Sequence, residues 1–265
     1  MGWRRGKAGL RLTEEEVYGQ LEKTEKTGAL FLWRYSRSQI MQLFERFGIL
    51  DRMRALGYPS PQLTFHVEEG LHHLLFTIEG IEDPLLDLRL NEESRIVNGL
   101  PALGCEPMAV LVIQWVSLQN VRGEFTHERP RLPGQSFPGL GVGRRVFRLL
   151  WKIAREIGKD ALSAYPMYYH NAIYYSGGFS YLDPKKNGEL IALRRDLKGV
   201  SLETASDGIN QGRLLEATTG KAVDWNPGEM YAPVSRRLSA YFSSEGFKAE
   251  IERTASRRSF RLAES

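Results

Sequence analysis

Three glycines, Gly139, Gly141 and Gly143, run directly into a basic patterned segment in "FPGLGVGRRVFRLLWKIAREIG" (137–158). A helix start carries unbonded N–H groups and the positive end of the macrodipole. Glycines just ahead of it let backbone approach an anion closely. Together they make a phosphate or pyrophosphate cradle, for which Gly139, Leu140, Gly141, Val142, Gly143 and Arg144 are the candidate contacts. Arg144 and Arg145 sharpen the expectation, because cations at a helix N-terminus are unfavourable unless an anion lies nearby. A dinucleotide fingerprint fits poorly: the spacing is G-x-G-x-G, and "PGQSFP" rather than an apolar strand precedes it. The Gly-Lys-Ser/Thr of a nucleotide P-loop is absent. A plain flexible turn into a helix remains the competing reading.

Two further groups of residues carry chemistry. In "YYHNAIYYSGGF" (168–179), Tyr174 and Tyr175 on their own read as ordinary core packing with a satisfied hydroxyl. His170 and Asn171 offer caps to the same short helix, Asn171 the better one. "FHVEEGLHH" (65–73) holds His66, Glu68, Glu69, His72 and His73. On a strand His66 and Glu68 share a face. With His72 or His73 from beyond the turn they would form a two-histidine, one-carboxylate metal set. A polar strand face beside a turn explains the same residues. Glu124, His127 and Glu128 lie in a long loop, where they either line an acceptor site or are simply solvated.

The span from Gly139 to Leu182 resembles the acyl-CoA-binding half of the GNAT superfamily of N-acetyltransferases. In "PGLGVG", Gly141 and Gly143 take the two glycine positions of the family's loop. The helix closes on "AREIG", "DALSAYP" stands where a strand follows, and Tyr174 precedes Phe179 in a Tyr-x-x-x-Gly-Phe ending. Pro138 replaces the family's usual Arg or Gln, and Met167 and His170 fall where it has Asn and Ala. The resemblance implies acetyl-CoA as cosubstrate, its pyrophosphate on the backbone of 140–144, and its pantetheine along the strand at 108–118. It implies transfer of an acetyl or acyl group to an amine acceptor, with Tyr174, or Tyr175 after a one-residue shift, as the acid. The alternatives are a non-catalytic CoA-binding or protein-interaction module and, further off, a metal-dependent enzyme on His66, Glu68 and His72.

These residues need elements to position them. "SRSQIMQLFERFGILDRMRALGYPSP" predicts a helix with Ser36 and Gln39 as a capping box, divided near Gly48 and stopped by Gly57 and Pro59. "LTEEEVYGQLEK" predicts an earlier helix with Thr13 and Glu16 as its box and Leu12 and Val17 as its staple. Alternation predicts a hairpin from Gln62 to Gly80, and a weak strand at 85–90. "MAVLVIQWVSL" (108–118) reads as a strand buried on both faces. The loop of about twenty residues after it is long enough to be functional. Val146, Leu149, Leu150, Ile153, Ala154 and Ile157 recur at helical spacing up to Gly158. Beyond residue 200 the pattern is less regular: a hairpin around Thr219–Gly220, and "SRRLSAYF" as a closing helix or strand. The fold class is mixed α/β (α+β), a mostly antiparallel GNAT-like sheet with flanking helices. It divides into a helical N-terminal extension (1–60), a core (61–200) and a C-terminal extension packed on it (201–265).

Composition bounds the function. The 265 residues carry 36 Lys+Arg against 32 Asp+Glu, a net charge of +4. No block of like charge points to nucleic acid, and the basic ends "MGWRRGKAGLR" and "RTASRRSFRL" read as solvated termini. The mild excess suits an anionic small molecule as well as nucleic acid, and argues weakly against a polycationic acceptor. Cys105 is the one cysteine, so an internal disulfide is impossible, and a buried packing role fits it better than a catalytic thiol. The absence of a long apolar run argues against a membrane span, and the expected location is cytoplasmic. A homodimer is compatible with all of this.

Overall fold

The computed structural model describes residues 30–96 and 106–264. The helix expected around Thr13, and Cys105, lie outside the described residues. Ser36 caps α1 (Arg37–Arg46) and Gln39 returns the bond, so the capping box forms as expected. Gly48, at φ 66°, separates α1 from α2 (Ile49–Ala55). Their buried Ile40, Phe44, Ile49, Leu50 and Met53 belong to the same core as the sheet. They are an integral layer of the fold rather than an extension of it.

Strands β1 (Gln62–Glu68) and β2 (Leu71–Ile78) form the expected hairpin, turning at Glu69 and Gly70, both at positive φ. β3 (Ile81–Arg95) overturns the expectation of a weak strand: its 15 residues make it a long central one. Its polar positions Asp87, Arg89, Asn91 and Glu93 alternate with buried leucines, and only the core half of the alternation reads as strand. β4 (Met108–Leu118) spans its apolar run, but the burial expected on both faces holds only as far as Ile113, and Gln114 and Trp115 are exposed. Next come α3 (Gly143–Glu156), β5 (Ala161–Ala164), α4 (Tyr169–Tyr175) and β6 (Ser180–Tyr181). After them run α5 (Pro184–Asp196), α6 (Leu202–Asn210), β7 (Leu214–Glu216), β8 (Met230–Pro233), α7 (Arg236–Ser243), α8 (Glu245–Arg257) and β9 (Phe260–Leu262).

The main sheet has seven strands in the order β1-β2-β3-β4-β5-β8-β6. All neighbours are antiparallel except β4 and β5, which are parallel and joined through α3. The fold is therefore a mixed α+β one built on a mostly antiparallel sheet. β8 lies between β5 and β6, so the segment after residue 200 supplies a strand to the sheet itself, and the division expected there does not part the structure. The turn at Gly220 forms, but β7 pairs chiefly with β9 and meets its expected partner only at Leu215–Ala222. Nor is the C-terminal basic segment a frayed end. Phe260 is buried, Arg258 pairs with Glu216, and Arg195 donates to the carbonyls of Ala255 and Arg258. The helices α5, α6 and α8 escaped the periodicity argument for a physical reason. α5, for example, buries Asn187 and Gly188 beside Leu190 and Leu193, and the glycine lets α8 approach at Thr254.

The two faces of the sheet differ. One carries Leu63, Phe65, Leu74, Phe76, Leu86, Leu88, Leu111 and Ile113 and packs with α1, α2 and α3. On the other, Val110, Val112, Ala161 and Tyr231 pack with Leu238, Tyr241 and Phe247 of α7 and α8. The residues that β1, β2 and β3 present on that second face, among them Thr64, His73 and Asp87, line an open groove.

Candidate functional site

The groove is about 3590 Å³ and is lined by residues of both faces. That is several times the ~300–1,000 Å³ of a small-ligand pocket, enough for an extended ligand with a second molecule beside it. It runs through a break in the sheet. β4 and β5 pair only from Val110–Ala161 to Ile113–Ala164, and β4 then continues to Leu118 without β5. A bulge at Gln114 accompanies the break, since Arg89 faces Trp115 while its neighbour Leu90 faces Ile113. Beyond this bulge, from Trp115 to Ser117, β4 is paired to β3 alone among the described strands, and so presents edge backbone to the groove.

The glycine loop stands at the end of this break. In sequence it is far from β4. In space the intervening loop is a closed excursion, because Gln119 and Gly139 form an antiparallel bridge at its base. Leu140 N–H donates to Leu118 O (3.1 Å) and Asn120 N–H to Pro138 O (2.7 Å). Tyr58 fastens the excursion, donating to Asn120 Oδ1 (2.5 Å) and accepting from Arg122 N–H (2.9 Å). A strand–glycine turn–helix junction is thereby rebuilt across twenty residues of loop.

These bonds divide the six expected cradle residues. Gly139 and Leu140 are spent on β4, so the amide of Leu140 is not free for an anion, contrary to expectation. The side chains of Leu140 and Val142 are fully buried and anchor the turn. Gly141 turns the chain at φ 74°, a conformation costly for other residues. Val142 occupies the N-cap of α3 and cannot cap it, and no side chain does. What remains for an anion is the backbone from Gly141 to Arg144. The conflict posed by Arg145 is partly resolved, because its guanidinium donates to Gly48 O at the α1–α2 junction. Arg144 and Arg148 are exposed along the groove. Arg52 of α2 donates to Leu140 O (3.1 Å) and brings a further cation beside Gly141. Nothing in the sequence around Arg52 signals that role, which depends on α2 docking against the loop.

The tyrosines are separated cleanly. Both border the groove, but Tyr174 is 59% exposed, whereas Tyr175 is 9% exposed and packs edge-on against Phe147. Burial raises both phenols, Tyr175 to about 12, so both are protonated at neutral pH. Asn171 caps α4 by accepting from Tyr168 N–H (3.2 Å), as expected. His170 is not a cap: its Nδ1 meets Ser206 Oγ of α6 at 2.8 Å, and burial lowers it to about 4.

The expected metal set is not assembled. His66 and Glu68 face the groove, whereas His72 points to the core, where its Nδ1 accepts Leu32 N–H at 3.0 Å. Adjacent strand residues face opposite sides, so the pairing that puts His66 opposite His73 excludes His72. Among the described residues no group of three histidine, cysteine or acidic side chains is placed to hold a metal. His73 instead meets Asp87 (2.7 Å), which also pairs with Arg89 (3.1 Å). Burial pushes the Asp87 carboxyl up, but the His73 and Arg89 hydrogen bonds outweigh it and hold the group below its ordinary value. His127 and Glu128 line the groove as exposed loop residues; Glu124 does not line it.

No family model matches the chain, and no curated protein matches it. Among the described residues no helix is long and apolar enough to cross a membrane.

Proposed function

We propose that the protein is a GNAT-like acyltransferase that moves an acetyl or other acyl group from a CoA thioester to an amine. The observation that carries this reading is the parallel β4–β5 pair opening beside an uncapped glycine turn. Four supports converge there. The amides from Gly141 to Arg144, with Arg144 and Arg148, form an anion cradle suited to a pyrophosphate. The edge backbone of residues 115–117 can pair with the amides of an extended pantetheine arm. The mostly antiparallel sheet with flanking helices is the arrangement that the resemblance implies. Tyr174 stands in the groove with its proton retained, as a general acid must be to protonate a departing thiolate. Of the two tyrosine candidates, Tyr174 is therefore assigned that role and Tyr175 a packing one. A cytoplasmic location accords with free CoA thioesters as cosubstrate.

Thermal unfolding with acetyl-CoA, CoA and NADH in parallel tests the reading. Ligand at a hundred times its Kd stabilises by about 2.7 kcal/mol, which at ~2–4 °C per kcal/mol raises Tm by roughly 5–10 °C. Acetyl-CoA and CoA should do so and NADH should not. No shift with either CoA species at millimolar concentration would sink the proposal.

A further inference from the structure

Large apolar side chains left in water are informative when they gather. Trp115, Tyr165, Met167 and Tyr174 are each at least half exposed, and all four line the groove around the break in the sheet. Next to them lies a polar floor with defined order. His66, His73, Arg89 and Trp115 are partners in register across four strands, and Leu75, Asp87 and Ser117 form the neighbouring row. Asp87 thus stands opposite Ser117, one strand spacing, about 5 Å, from the stretch of β4 that β5 leaves uncovered. Solvated strand faces leave such groups exposed, yet the His73 and Asp87 side chains are only 12% and 13% exposed and joined at 2.7 Å. An imidazole held by a carboxylate is the arrangement that fixes a base's tautomer and orientation.

We propose that this floor is the acceptor subsite, that it takes a primary amine carried on an aromatic body, and that His73, positioned by Asp87, accepts the ammonium proton. The proposal rests on the acyl-transfer reading. The exposed aromatics supply faces for the ring and for the ammonium. The step balances as follows. The ammonium gives one proton to His73, directly or through one water, and the free amine bonds to the thioester carbonyl carbon. The C–S bond breaks, the thiolate takes the Tyr174 proton, and the phenolate is reprotonated from the amide nitrogen as it forms. His73 then releases its proton to solvent. The charged and titratable groups facing His73 are His66 and Glu68 from β1 and Asp87 and Arg89 from β3.

Benzylamine serves as the probe acceptor and thiol release from acetyl-CoA as the readout. Wild-type protein should release CoA in a benzylamine-dependent reaction. His73→Ala should lower kcat about 100-fold or more, with partial rescue by added imidazole, and Asp87→Asn should lower kcat more than it changes KM. Trp115→Ala should raise KM for benzylamine. His73→Ala and Asp87→Asn should keep the wild-type thermal shift with acetyl-CoA, which shows that they fold. If His73→Ala does not fold, His73→Gln replaces it. A normal acetyl-CoA shift with no benzylamine-dependent release, or with release undiminished in the His73 variant, overturns the subsite and leaves acyl transfer standing. Absence of any acetyl-CoA shift in the wild type removes the reading beneath it as well.

Discussion

The two faces of the β1–β3 sheet are made from interleaved residues, and the contrast between them organises the molecule. His72 and His73 are neighbours in sequence. His72 is wholly buried, accepts the Leu32 amide and lies edge-on to Phe31 and Trp33. That bond holds a tight turn in which Leu32 and Trp33 both adopt positive φ, a strained conformation for such residues. His73 faces the groove and binds Asp87. Leu74 and Leu75 divide likewise, and so do Tyr174 and Tyr175 on α4. One member of each pair holds the fold, and the other is presented to whatever the groove binds. A doublet in the sequence is thus two different residues physically, and substitution of each pair should show it.

The largest contrast is expected on α4. Loss of a general acid costs ~10²–10⁴-fold in rate, so Tyr174→Phe should abolish most amine-dependent thiol release while leaving Tm and the acetyl-CoA shift in place. Tyr175→Phe removes a hydroxyl from a packed ring and should keep the rate within a few-fold. Steady-state kinetics on the two variants read this directly. Equal losses in both, or a loss in Tyr175→Phe alone, would break the assignment.

The core contrast comes next. Leu74 is fully buried and Leu75 lines the groove. Leu74→Ala should destabilise by about 2–5 kcal/mol through lost burial and the cavity left behind. Leu75→Ala should cost under about 1.5 kcal/mol, as expected for a side chain already part-exposed. Urea unfolding at constant m-value measures both.

These pairs also show how much the sequence makes legible. The α3 stripe, the β1–β2 hairpin, the β4 run and the glycine turn were all readable, because each repeats on a local period set by burial. The metal set failed because the register that opposes His66 to His73 is fixed by the Glu69–Gly70 turn, and a one-residue difference moves a side chain to the other face. β3 is legible only on its core side because its groove-side residues are polar, and nothing local marks Asp87 as a partner for His73. Arg52 and the Gln119–Gly139 bridge are long-range contacts with no local trace. The fold's helices and buried strands were thus far more legible than its site, since a site is made where distant segments meet.

Acidification should separate the buried histidines from the rest. Burial lowers His66, His72 and His170, the last to about 4, from an unperturbed 6.5. The unfolded chain therefore takes up these protons first. Their contribution is fully present above about pH 6.5 and is lost as pH falls, through the window down to about 4 for His170. Protonating His72 also converts its Nδ1 from acceptor to donor and breaks the bond from Leu32. Stability at pH 5 should fall below that at pH 7.5 by of order 1–3 kcal/mol. His72→Gln and His170→Gln should each flatten the profile in urea titrations at the two pH values. A slope unchanged in both variants would assign the acid sensitivity to other groups.

The smallest effect is the sharpest test of the glycine turn. Gly141 and Gly158 both adopt positive φ, 74° and 72°, one before α3 and one after it. A Cβ on Gly158 would meet nothing within 4 Å, and one on Gly141 would touch only Arg52 at ordinary contact distance. Alanine at either position therefore costs mainly the left-handed strain, about 1–2 kcal/mol. The two variants should lose similar stability in the absence of ligand. Their response to acetyl-CoA should differ: Gly158→Ala keeps the full thermal shift, because that end of the helix faces no anion. Gly141→Ala relieves its strain by re-aiming the amides from Val142 to Arg144, and the shift should shrink. Equal shifts in the two would mean that Gly141 shapes a turn and nothing more, and would return the cradle to the arginines alone.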